Sequence, residues 1–151
     1  MAITDDIALL EKFDFFSKMT TEQLRLLIFG AERKEFATGE IIFTEGQPAE
    51  SAYVVLSGTV NLYRQNSQPN QPIDIINKNA LLNELALITK VNRPFTAIAQ
   101  SNTKTLKINR IVFLKLISEF PEITQHIYDY VSERMRELAS NINHLTDLKK
   151  N

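Results

Sequence analysis

The stretch FATGEIIFTEGQPAESAYVVLSGTVNLY, residues 36–63, decides the architecture, because short β-rich runs alternate in it with glycines. Its runs EIIFTEG, SAYVVLSG and TVNLYR combine β-branched and aromatic residues in lengths that suit strands rather than helices. Gly39, Gly46 and Gly58, three of the four glycines, fall where a tight turn calls for a positive φ. Further on, PIDIIN, FTAIAQ and TKTLKIN read in the same way. The polar segment QNSQPNQP, residues 65–72, carries two prolines and reads as an exposed hairpin loop.

Outside this body the period becomes helical. Toward the N-terminus Ile7, Leu9, Leu10 and Phe13, then Leu24, Leu26, Leu27 and Phe29, suit short amphipathic helices, with Thr20 or Thr21 as the N-cap of the second. After Asn109, Ile111, Val112, Leu114 and Leu116 predict a helix that breaks at Pro121, which suits the first position of a new one. In that last helix Ile123, Ile127, Val131, Met135, Leu138, Ile142, Leu145 and Leu148 form an apolar stripe over about 39 Å. The order defines an α+β fold, an antiparallel β-roll of the double-stranded β-helix or jelly-roll type. It forms a single domain over 1–151, with N-terminal helices over 1–31, the roll over 32–108 and C-terminal helices over 109–151.

The chain has 151 residues, 44% hydrophobic and 23% charged, which fits one ordinary globular domain. Seventeen basic and eighteen acidic residues leave a net charge of -1, which offers no dominant attraction to nucleic acid or an anionic membrane. The absence of cysteine excludes disulfides, zinc thiolates and thiol nucleophiles, and with an acidic N-terminus and no long apolar run it points to the cytoplasm. The two histidines, His126 and His144, lie eighteen residues apart on the terminal helix, so no strand-borne metal cluster is expected. Neither GxGxxG nor GxxxxGKS is present, and no Ser-His-Asp layout stands out. The expectation is a non-enzymatic domain.

Chemistry concentrates in NELALITKVNRPFTAIA, residues 83–99, a short helical run, a polar turn and a strand. Glu84 opens the run and Arg93 closes the turn. An arginine fork can bind two phosphate oxygens, and a carboxylate can accept hydrogen bonds from sugar hydroxyls. Together they would read a ribose phosphate.

This segment, with LLEKFDFFSKMTTEQLRLL before it and the glycine pattern of residues 36–63, resembles the cyclic nucleotide-binding domain family, the regulatory β-roll of catabolite activators, kinases and gated channels. Residues 83–99 are similar to its phosphate-binding cassette. The resemblance implies that Glu84 binds the ribose 2′-hydroxyl and Arg93 the cyclic phosphate of cAMP or cGMP. It also implies that the backbone N–H groups of Leu85 and Ala86 line the pocket, with Leu138 and Ala139 on a helical lid. No other cofactor is expected.

The segment departs from the family pattern at Asn83, which replaces the cassette glycine, at Pro94, which supplies no N–H, and at Phe95, which replaces a small residue. The preceding Leu82 replaces an aromatic. Two readings follow. In one, a stand-alone sensor binds a cyclic nucleotide and signals by rearranging its C-terminal helix. In the other, a degenerate relative no longer binds nucleotide and serves as a dimerising interaction module. Both predict a homodimer paired through the long helix, which would overhang a small domain, and output to another protein. With the chain ending at Asn151, no helix-turn-helix and no DNA contact are expected. Tyr128, Tyr130, Arg134 and Arg136 read as a solvated or interface surface.

Overall fold

The computed structural model describes residues 3–150 except 67 and 69, and the side chains up to residue 140 except those of these two positions and Leu138. Helix α1 (Ile3–Glu11), a single 3₁₀ turn (Asp14–Phe16) and α2 (Thr21–Gly30) precede the strands. Thr20 is the cap of α2: its hydroxyl accepts from the Gln23 N–H at 3.1 Å, while the Gln23 side chain accepts from the Thr20 N–H at 2.9 Å. This reciprocal box satisfies two donors that a helix start otherwise leaves open.

Among the described residues ten strands follow: β1 (Glu32–Phe36), β2 (Ile41–Phe43), β3 (Pro48–Ala49), β4 (Ser51–Ser57), β5 (Val60–Tyr63), β6 (Asp74–Ile76), β7 (Ala80–Leu82), β8 (Val91–Asn92), β9 (Thr96–Ala99) and β10 (Thr103–Asn109). They pair antiparallel in the orders β1-β10-β4-β7 and β2-β9-β5-β6, with β3-β8 as a small separate ribbon. The interleaved order is that of a roll, in which the chain crosses repeatedly between two facing sheets. Two helices close the chain, α3 (Arg110–Glu119) and α4 (Glu122–Lys150). Among the described residues no helix is long and apolar enough to cross a membrane.

Strand β4 shows how one sequence serves two cores. Its side chains alternate, so Ala52 and Val54 point into the helical layer with Phe15, Phe16, Leu24 and Phe113, while Tyr53 and Val55 point into the roll with Phe43, Val60 and Leu62. Gly58 makes the turn into β5. Its φ of +96° and the carbonyl oxygen of Asn102, 2.6 Å from where a Cβ would stand, exclude any other residue without movement.

The helical periodicity is corrected in two places. On α3 the buried residues are Phe113 and Leu116, and Ile111 and Leu114 face outward, Ile111 at 82% exposure. On α2, Leu24 and Leu27 are buried with Ile28, whereas Leu26 and Phe29 are exposed. The stripe of α4 divides: Ile123 and Ile127 are buried on the helical layer and Val131 packs at its edge, but Met135 is 48% exposed. The side chains of Ile142, Leu145 and Leu148 lie outside the described residues.

Candidate functional site

Arg93 is positioned from both sides of its backbone. The β3-β8 ribbon pairs Ala49 with Val91 and Pro48 with Asn92, and the turn beyond it carries the pairing on. There the Arg93 N–H donates to the Gln47 carbonyl at 2.8 Å, and the Gly46 N–H donates to the Arg93 carbonyl at 2.8 Å. Gly46 holds that turn at a φ of +86°. The arginine side chain therefore enters the roll from a fixed anchor, and it is 6% exposed.

Inside, one guanidinium nitrogen donates to the Ser51 carbonyl at 2.7 Å and another to the Ser51 hydroxyl at 3.0 Å. The guanidinium carbon lies 4.5 Å from the centre of the Phe43 ring and 5.6 Å from that of Tyr53. Ser51 and Tyr53 share the inward parity of β4, which is why one strand supplies both contacts. Among the described residues no carboxylate pairs with Arg93 within ion-pair distance. Burial lowers its pKa from the ordinary arginine value, and the nearby Tyr53 phenol opposes that shift. The Ser51 oxygens and the Phe43 and Tyr53 rings offset part of the desolvation of this buried cation, and an arriving negative group would offset more.

The cavity at Arg93 is about 220 Å³, lined also by Phe43, Gln47, Ser51, Tyr53, Lys107 and the carboxylate-bearing Glu50. That is below the roughly 300 Å³ at which ordinary small-molecule sites begin, so a nucleotide seated here has to widen it. Phe95 packs its ring on Phe43, centroids 5.6 Å apart, and Pro94 is exposed.

The other half of the cassette begins at Asn83, which adopts the left-handed conformation with φ 66° and ψ 44° and starts the 3₁₀ turn Glu84–Leu87. Asparagine tolerates this region better than most residues, so the replaced glycine leaves its backbone shape behind. The Ala86 N–H is engaged by the Asn83 carbonyl at 3.0 Å. Ala86 itself is fully buried and Leu85 partly so, and the Ala86 carbonyl accepts from Arg110, whose guanidinium also reaches the Ala49 carbonyl. Arg110 thereby ties the cassette to the ribbon that carries Arg93.

Glu84 is buried at 9% exposure and turns toward the terminal helix. Its Oε1 accepts from the Tyr130 hydroxyl at 2.9 Å and lies 3.6 Å from the Arg134 Nε. Burial first, then the charge of Glu84 and the hydrogen bond to it, push the Tyr130 phenol well above its ordinary value, and Arg134 pulls the other way. The Tyr130 ring packs edge-on against Phe15 at 5.1 Å. Glu84 and Arg93 therefore have separate internal partners, Tyr130 for one and Ser51 for the other.

Three participants escaped the sequence reading. Tyr130 and Arg134 were expected on a solvated or interface surface, and both reach Glu84 of the cassette. Their signal was present: Glu122, His126, Tyr130 and Arg134 recur every four residues beside the apolar stripe. All four find partners, with Glu122 accepting from Gln23 at 2.9 Å and the His126 Nε2 lying 3.0 Å from the Asp14 carbonyl. Ser51 had no signal beyond its parity with Tyr53. Ala139 is exposed, and the side chain of Leu138 lies outside the described residues.

A buried arginine inside a β-roll, beside a one-turn cassette held by a C-terminal helix, defines a ligand-binding regulatory roll. Residues 33–120 match the cyclic nucleotide-binding domain, and the chain belongs to that family. It is 37% identical to the solved structure of a cyclic nucleotide-binding-like protein from Brucella abortus, with a TM-score of 0.71 over 76% of this chain and 98% of that one. The cyclic AMP receptor protein of Thermus thermophilus is 25% identical over 123 residues, 81% of this chain and 57% of the receptor. A lysophospholipase of Chaetomium globosum is 28% identical over 122 residues, 80% of this chain and 8% of the enzyme. The chain thus spans little more than half of the receptor and a small part of the enzyme.

Proposed function

We propose that this domain is a sensor for a cyclic nucleotide, cAMP or cGMP, in which Arg93 takes the cyclic phosphate, Glu84 the ribose hydroxyl, and α4 carries the response. One observation supports it above the others: Arg93 is 6% exposed, aimed into a cavity, and among the described residues without a carboxylate partner. An anionic ligand offsets that charge. Glu84 touches α4 directly, so occupancy at the cassette shifts the population of helix positions. The role is regulatory and cytoplasmic, and the domain acts on another protein. Titration calorimetry with cAMP and with cGMP on the wild type and on Arg93→Ala tests it. Binding that the substitution abolishes supports the sensor, and absence of heat at millimolar ligand refutes it.

A second reading has its own support. Pro94 offers no N–H beside Arg93, and Phe95 packs on the ring that flanks the guanidinium. On that reading the roll no longer takes nucleotide and serves as a dimerising interaction module. Either way α4 pairs with a second copy through the apolar stripe read from its sequence, in which Met135 is half-exposed. Sedimentation at several concentrations tests this, and a strict monomer refutes it.

A further inference from the structure

We propose that the Tyr130 hydroxyl is the internal competitor for the ligand's sugar hydroxyl, so that α4 and a ribose-containing ligand exchange places on Glu84. The inference rests on the nucleotide reading above. It starts from a disagreement between that reading and the resting geometry. A single ribose phosphate has to touch Glu84 and Arg93 together, yet Arg93 lines the cavity of the roll while Glu84 faces Tyr130 and Arg134 on α4.

Tyr130 offers Glu84 what a sugar offers: one neutral O–H donor at 2.9 Å to a carboxylate oxygen. Arg134, 3.6 Å away and half-exposed, leaves the charge of Glu84 only loosely paired. Ser51 plays the corresponding part for Arg93, filling two of its donors with neutral oxygens. Both ligand-reading side chains are thus occupied by neutral internal substitutes for the groups they would recognise. Their exchange for a ligand releases the Tyr130 hydrogen bond that holds the middle of α4 to the cassette.

The exchange carries a specificity consequence. A ligand without the sugar hydroxyl does not compete with Tyr130, so it neither displaces the phenol nor benefits from its removal. A charge-assisted hydrogen bond that must be broken on binding weakens apparent affinity by roughly tenfold. Tyr130→Phe deletes the competing oxygen and keeps the ring that packs on Phe15.

The experiment compares the wild type, Tyr130→Phe and Arg93→Ala in calorimetric titrations with cAMP and its 2′-deoxy analogue. It is paired with amide exchange over α4 in the wild type with and without cAMP. The proposal expects Tyr130→Phe to bind cAMP about tenfold more tightly, to bind the deoxy analogue as the wild type does, and exchange around residues 130–134 to quicken when cAMP binds. Unchanged or weaker cAMP binding by Tyr130→Phe overturns it, as does an equal gain for both ligands. If the wild type binds and Arg93→Ala does not, that failure concerns Tyr130 alone. If the wild type fails to bind, or Arg93→Ala binds equally well, the nucleotide reading falls and takes this proposal with it.

Discussion

Replacing Arg93 by methionine separates what the fold needs from what the ligand needs. The wild-type guanidinium gains two hydrogen bonds to Ser51, at 2.7 and 3.0 Å, and a position over the Phe43 ring at 4.5 Å. Hydrogen bonds from a charged donor contribute about 1.5–3 kcal/mol each, and a desolvated cation–π contact up to about 2 kcal/mol. Against these stands the desolvation of a guanidinium that is 6% exposed, several kcal/mol per ion even after relaxation. Methionine removes both sides of that balance, adds apolar burial of about 1.5–3 kcal/mol, and leaves the Ser51 carbonyl to find water at the cavity. The expectation is that ligand-free Arg93→Met lies within about 2 kcal/mol of the wild type. Thermal unfolding with and without cAMP provides the assay. At a hundredfold excess over Kd the wild type gains about 2.7 kcal/mol, roughly 5–10 °C for a domain of this size, and Arg93→Met gains nothing. A loss above about 3 kcal/mol without ligand would show Arg93 to be structural, and a retained ligand shift would remove it from the site; either result refutes the reasoning.

Three further expectations address the helix, the turn and the cap. Because Tyr130 has a raised pKa in the fold, the stability tied to its protonated form is fully present below the unfolded tyrosine value of about 10 and is lost as pH rises toward the folded value. Urea denaturation of the wild type and Tyr130→Phe should therefore converge above pH 10, and a gap that stays constant or widens would contradict this. Gly58→Ala meets both a φ of +96° and the Asn102 carbonyl at 2.6 Å, so a loss of about 2 kcal/mol or more in urea is expected, against a null result under 0.5 kcal/mol. Thr20→Ala removes the capping box of α2 and should lower stability by about 1 kcal/mol, read as a shifted midpoint with an unchanged slope.

The β-rich runs, the glycine turns and the break at Pro121 were legible in the chain because each depends on local chemistry: strand propensity, a positive φ, a ring without an N–H. Strands β1, β3, β7 and β8 were not. β1 reads ERKEF and is almost wholly exposed at a sheet edge, where charges guard against pairing, and β3 and β8 are two residues each. Their existence depends on partners far along the chain. The same division holds at the site. That Glu84 and Arg93 belong to one cassette followed from the segment they share and its resemblance. Which way each turns did not, since it rests on Ser51, 42 residues before Arg93, and on Tyr130, 46 residues after Glu84. By itself the sequence determined an antiparallel roll with helical ends and a charged cassette. Only the tertiary structure decided that the arginine is buried without a counter-ion among the described residues and the glutamate held by the last helix, because a side chain's charge state and partner depend on what the fold removes from water around it.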